Sequence, residues 1–208
     1  MFVNDIIEIE DFLPKLQQNE LRKLFLTDTA FPWYHQNFSV LDSPEDRKAS
    51  ANDSNIKETD LFSHFLYYKK EQIKSNYHEQ IALIFKNNIK KKLNIEVIEE
   101  IRLRVNFNTP SPGLKNTYST PHIDDNDPHS TMIYYVNDSD GDTYLFKEFA
   151  DENFKKEHLY ERKTLERRIT PKKGKAVIFN GLRYHAAGTP SIDNRIVINY
   201  NFVAKIDQ

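Results

Sequence analysis

The residues best suited to chemistry in this 208-residue chain are His122 and Asp124, in the stretch STPHIDDNDPHSTMIYYVNDSDGDTYLF. On a strand, positions i and i+2 project from one face, so an imidazole and a carboxylate spaced this way reach a common ion. The pair alone is weak evidence, because a chain of this composition supplies roughly half of one His-x-Asp by chance. A second histidine, His185, lies between the strand-like runs KAVIFN and RIVINYNF, with Gly181, Gly188 and Pro190 marking turns. Together His122, Asp124 and His185 would form the two-histidine, one-carboxylate facial set that binds non-heme Fe(II) and leaves coordination positions open for chemistry. Arg195 follows at the start of the last strand-like run, where Arg195, Val197, Asn199 and Asn201 share a face. An arginine pointing inward near a metal needs an anion, and its planar fork suits a carboxylate.

The elements that must hold these residues are legible from periodicity. A short strand, FVNDIIEI, opens the chain; Asp11 then precedes an apolar repeat with Pro14 in its first turn, which predicts a helix to about Leu26. Residues 27–59 lack a sustained period and read as a long loop, a candidate lid over the site. From about Asp60 to Lys92 apolar residues such as Ile73, Tyr77, Ile81, Ile84 and Phe85 recur at helical spacing and predict one or two helices. Beyond Asn94 the period changes to two: Ile101, Leu103, Val105 and Phe107 alternate with Arg102, Arg104, Asn106 and Asn108. Further strands are expected at 131–136, 143–147, 165–170, 175–180, 183–187 and 194–204. The expectation is an α+β chain of one domain over 1–208, with helical support and loop in 1–95 and a jelly-roll core in 96–205.

On these residues the chain resembles the Fe(II)/2-oxoglutarate-dependent dioxygenases, within them the prolyl-4-hydroxylase-like group. HID matches the His-x-Asp motif, His185 the distal histidine, and Arg195 stands where the family carries its basic co-substrate anchor. STMIYYVNDSDGDTYLF is similar to the group's strand, turn and strand after that motif, and IIEIEDFLP to its opening strand and helix. The resemblance spans nearly the whole chain and is strongest from Arg102 to Phe202. It implies a double-stranded β-helix (a jelly-roll, cupin-like barrel) backed by N-terminal helices. It also implies Fe(II) on His122, Asp124 and His185, with 2-oxoglutarate and O2 as co-substrates and ascorbate as a supporting reductant. Arg195 would hold the 5-carboxylate of 2-oxoglutarate, with the Tyr134 hydroxyl as a second contact. The implied reaction is hydroxylation of a peptidyl proline, another peptide side chain or a small molecule, with release of succinate and CO2. One glycine in DGD and an arginine in place of the lysine of many collagen-type enzymes leave the substrate open. RIVINYNFVAK lacks the second arginine of the alkylated-nucleic-acid demethylases, so no nucleic-acid partner is expected.

The remaining candidates carry bland alternatives. Arg104 and Asn106, with Arg102, face either the mouth of the site, as substrate contacts, or solvent. FPWYH at 31–35 is either core packing or an aromatic lid. Asp125, Asp127 and His129 sit in turn-rich sequence and read as loop residues. His35, His64, His78 and His158 have no partner pattern. Composition narrows the field: no cysteine excludes disulfides, zinc ribbons and thiol nucleophiles. A net charge of −2, from 29 basic and 31 acidic residues, provides no global field for polyanions. An acidic N-terminus and the lack of a long apolar run point to the cytoplasm, with no membrane partner. Two rival readings stand beside the dioxygenase: a cupin-like metal enzyme that does not use 2-oxoglutarate, and a non-catalytic binding module.

Overall fold

The computed structural model describes residues 6–37, 40 and 53–206. Two helices and eleven strands form two sheets among these residues. In chain order they are β1 (Ile7–Ile9), α1 (Lys15–Leu26), β2 (Tyr34–Gln36), β3 (Leu61–Tyr68), β4 (Ile73–Lys74), α2 (His78–Leu93) and β5 (Ile95–Asn108). There follow β6 (Ser130–Tyr135), β7 (Thr143–Phe149), β8 (Leu165–Ile169), β9 (Ala176–Asn180), β10 (Arg183–Ala187) and β11 (Arg195–Ile206). The larger sheet runs β1-β9-β6-β11-β5-β3-β2, with β4 paired to β3, and the smaller runs β10-β7-β8. Every pairing between these strands is antiparallel. None of the described helices is long and apolar enough to cross a membrane.

Alternation along the strands separates two buried layers. One face of the large sheet, with Leu103, Val105, Met132, Tyr134, Ile178, Ile196, Ile198, Tyr200 and Phe202, packs against Leu21 and Phe25 of α1 and Ile81, Phe85 and Ile89 of α2. The opposite face turns Ile133, Tyr135, Val177, Phe179 and Val197 toward Leu145 and Ile169 of the small sheet. Between the sheets lies the space in which the polar faces of β5 and β11 meet.

The first half of the chain departs from its expected division. Leu61–Tyr68 is a strand, pairing Phe62 with Phe107 and Tyr68 with Arg102, where a helix was expected. A short apolar run does not reveal its period, and the aromatics Phe62, Phe65, Tyr67 and Tyr68 favour a pleated surface once β5 offers a free edge. Residues 1–95 therefore supply β1 to β4 as well as the helices, and α2 follows four strands rather than standing at the N-terminus. The first helix starts at Lys15 rather than near Asp11, whose φ of 47° lies in the left-handed region; its carboxylate accepts from Gln18 at 3.1 Å instead of capping the helix. Of the proposed lid, residues 38–39 and 41–52 lie outside the described residues. Phe31 and Trp33 belong to the core, with ring centroids 4.9 Å apart and Phe31 also 4.9 Å from Phe25.

Candidate active site

His122 and His185 come together through backbone pairing. Each donates its N–H to the other's carbonyl at 2.9 Å, an antiparallel bridge joining the segment before β6 to β10. This bridge sets the two imidazole rings 4.7 Å apart. Asp124, two residues beyond His122, places its carboxylate oxygens 3.8 Å from His122 Nε2 and 3.6 Å from His185 Nε2. One ligand atom from each of the three lies within 4.8 Å of the others, a spacing able to hold one metal ion.

The surroundings prepare all three as ligands. His122 Nδ1 sits 2.9 Å from the Thr120 carbonyl and His185 Nδ1 sits 3.1 Å from that of Arg183. A carbonyl only accepts, so the proton belongs on Nδ1 in both rings and each Nε2 turns its lone pair to the centre. His185 Nε2 is buried and has no hydrogen-bond partner among the described residues. Burial, which outweighs the pull of Asp124, pushes the His185 imidazolium down to about 4, so the ring is neutral at ordinary pH. Burial would push the Asp124 carboxyl up, but Arg102, His185 and His122 and a hydrogen bond from Asn201 hold it well below the usual carboxylate range. Asp124 pairs with Arg102 through one oxygen and accepts from Asn199 and Asn201, each at 2.9 Å, through the other. Two imidazoles that turn Nε2 inward and an ionised carboxylate are a donor set suited to Fe(II).

Arg195 enters the same space from the start of β11. Its Nε donates to the Gly141 carbonyl at 2.7 Å and its terminal nitrogen to Thr143 Oγ at 2.9 Å. Only 2% of Arg195 is exposed, yet among the described residues no carboxylate pairs with it. Burial depresses its pKa, partly offset by Tyr135 and Asp142. Gly141 permits this approach: a Cβ there would lie 2.9 Å from the arginine Cδ and 2.8 Å from the Gly188 carbonyl. Thr143 Oγ also accepts from the Tyr135 hydroxyl at 2.7 Å. With two donors already on its oxygen, the Thr143 hydrogen is free to point elsewhere.

One expected contact is overturned. Tyr134 is fully buried on the helix side of β6, its ring 5.4 Å from Phe85 and 6.3 Å from Phe12. Adjacent residues on a strand face opposite ways, and Tyr135 is the one that shares its face with Ile133 and Val197. Arg104 and Asn106 do line the pocket, with Arg102, Asn108, Val197 and Asn199. Asp125 and Asp127 instead bind Lys70 at 2.8 and 3.3 Å, while His129 is buried with its Nδ1 2.7 Å from the Asp127 carbonyl. Sequence reasoning missed Tyr135 and Thr143 as parts of the site, and gave Arg102 only as a residue of the mouth or solvent face and the two asparagines only as sharing a face with Arg195. The signal for Thr143 was its alternation with Tyr144, since Thr143 and Leu145 share the inner face.

No family model matches this sequence, and no curated protein is similar enough to be recognised. Solved structures do match. A 2OG-Fe(II) oxygenase family oxidoreductase from Burkholderia pseudomallei superposes with a TM-score of 0.59 at 10% identity, over 95% of this chain and 84% of that one. A prolyl hydroxylase from Trichoplax adhaerens, in complex with a hypoxia inducible factor peptide fragment, gives 0.53 at 15% identity over 96% and 84%. SnoK, a non-heme alpha ketoglutarate dependent carbocyclase from nogalamycin biosynthesis, gives 0.58 at 10% identity over 98% and 82%. The chain thus has the jelly-roll fold found in 2-oxoglutarate-dependent oxygenases.

Proposed function

We propose that this chain, taken as one domain over residues 1–208, is an Fe(II)- and 2-oxoglutarate-dependent dioxygenase built on a double-stranded β-helix. The observation that carries the reading is the meeting of the half-buried His122 and Asp124 and the buried His185 with a buried arginine that, among the described residues, has no carboxylate of its own. A fold alone does not determine chemistry, but three converging ligand atoms beside a guanidinium unpaired among the described residues ask for a metal and a carboxylate together. His122 and His185 would bind Fe(II) through Nε2 and Asp124 through one oxygen. When bound, iron and 2-oxoglutarate supply oxidative decarboxylation, in which O2 is consumed, succinate and CO2 leave, and a substrate C–H becomes C–OH.

The protein's residues do the rest. Thr120 and Arg183 hold the imidazole tautomers through their carbonyls; Arg102, Asn199 and Asn201 hold Asp124 ionised and oriented. Arg195 would receive the 5-carboxylate, with the Thr143 hydroxyl as second donor and Tyr135 positioning it. Ile133 and Val197, which line the pocket, limit water beside the reacting centre. The peptide carried by the Trichoplax neighbour favours a peptide side chain, proline among them, as substrate.

The test is conversion of 2-oxoglutarate to succinate with Fe(II), O2 and ascorbate, which proceeds slowly even without the true substrate. The wild type should exceed both His122→Ala and Arg195→Ala by at least about tenfold. Equal succinate from all three would refute the reading, and loss of Fe(II) binding in His122→Ala without any 2-oxoglutarate turnover in the wild type would point to a cupin-like enzyme.

A further inference from the structure

With iron bound, the pocket would hold more positive charge than Asp124 and 2-oxoglutarate can answer. Among the described residues three arginines line it, Arg102, Arg104 and Arg195, and Asp124 is its one acidic lining residue. Asp124 answers Arg102 through their ion pair. The 2-oxoglutarate dianion would set one carboxylate on Fe(II) and the other on Arg195, and with Asp124 shared between metal and Arg102, Arg104 would be left unanswered. Among the described residues Arg104 has only neutral partners: it donates to the Gln36 side-chain carbonyl and stacks over the Phe65 ring at 4.8 Å, while its Nε is buried without a hydrogen-bond partner. A planar guanidinium held flat by an aromatic ring and flanked by a second arginine is poised for an oxyanion.

Acceptors stand beside it. Asn199 is the direct cross-strand partner of Arg104 between β11 and β5. Because a carboxylate only accepts, the Asn199 amide must turn its NH2 to Asp124, so its carbonyl oxygen is fixed toward the pocket, buried and without a donor. Asn106, one pleat along β5, also lines the pocket with a buried carbonyl oxygen lacking a donor. A cation and two acceptors on one face complement a carboxylate with an N–H or O–H close by.

We propose that the substrate carries a carboxylate received by Arg104, with an adjacent N–H or O–H donor received by Asn199 and Asn106. The class comprises free α-amino or α-hydroxy acids and acidic residues within a peptide, where the backbone N–H is the donor. This rests on the dioxygenase reading above and specifies its substrate.

Binding, rather than turnover, tests it. Protein loaded with Mn(II) and 2-oxoglutarate under argon is titrated calorimetrically with three sets of probes. These are free amino and hydroxy acids, N-acetylated tripeptide amides with a central Asp or Glu, and the carboxamide counterpart of each. At least one carboxylate should bind more than about tenfold more tightly than its carboxamide. Arg104→Gln should abolish that preference while leaving 2-oxoglutarate affinity within about threefold, and Arg104→Lys should retain part of it. Binding confined to the free acids assigns a small molecule, and binding confined to the acidic peptides assigns a peptide. The proposal is overturned if no probe binds, if carboxamides bind as well as carboxylates, or if Arg104→Gln weakens 2-oxoglutarate as much as Arg195→Gln does. Circular dichroism checks the fold of each variant; should Arg104→Gln misfold, loss of the preference must appear in Arg104→Lys as a several-fold drop. Failure of 2-oxoglutarate itself to bind the Mn(II) protein would strike the dioxygenase reading instead, and the carboxylate preference is still readable without it.

Discussion

Single side chains decide most of this site, and their legibility was uneven. His122, Asp124, His185 and Arg195 stood out because each is a residue type with few reasons to occupy a strand face. Tyr134 and Tyr135 are adjacent and chemically identical, so only knowledge of which face turns inward separates them; pairing of Tyr135 with Val197 and of Tyr134 with Ile198 provides it. The consequence is a discriminating pair of variants. Tyr135→Phe removes the donor to Thr143 and should weaken 2-oxoglutarate binding about three- to tenfold, whereas Tyr134→Phe should leave it unchanged, both read by calorimetry. A larger effect from Tyr134 would place the co-substrate on the wrong side of β6. Arg102, Asn199 and Asn201 were legible only by the strand face they share, for a different reason: their role comes from Asp124, which touches them across more than seventy residues of chain in the case of the asparagines.

At the scale of elements, the strands of the second half were readable because their faces differ in polarity, while β3 was not, since its character depends on the free edge of β5. Nothing in the local pattern of LFSHFLYY reveals that partner. The positioning of Arg195 also depends on an element contact, the turn before β11. Asp140 accepts the Ser191 hydroxyl and the backbone N–H groups of Ser191, Ile192 and Asp193. Partial burial works against its ionised form, but these hydrogen bonds prevail and bring its pKa from 3.8 down to about 2. A depressed carboxylate stabilises the fold above its unfolded pKa and loses that contribution as pH falls through the folded value. The contribution is about 2 kcal/mol near neutrality and disappears between about pH 4 and pH 2. Asp140→Ala should therefore lower the melting temperature by about 4–8 °C at pH 7, with the gap to wild type closing as melts are taken toward pH 2. A gap independent of pH would mean that the carboxylate charge is not what holds the turn.

For the molecule as a whole, hydrophobic patterning revealed a strand-rich second half and two helices, but not how the sheets divide, because strand order depends on long-range pairing such as β1 with β9. The two sheets enclose a polar space whose ligand atoms face one another, which costs stability until an ion fills it. Mn(II) at about a hundred times its dissociation constant should add about 2.7 kcal/mol and raise the melting temperature by about 5–10 °C, and His185→Ala should abolish the rise. An equal rise in that variant would locate the metal elsewhere. The central claim, that 2-oxoglutarate chelates a metal held by His122, Asp124 and His185 while Arg195 holds its far carboxylate, has one direct readout. Under argon, adding 2-oxoglutarate to the Fe(II) protein should produce the visible charge-transfer absorption of an Fe(II) keto-acid chelate. The band should saturate at one equivalent, be lost in His185→Ala, and demand at least about tenfold more 2-oxoglutarate in Arg195→Gln. No band in the wild type, or one unchanged by either substitution, would contradict the account.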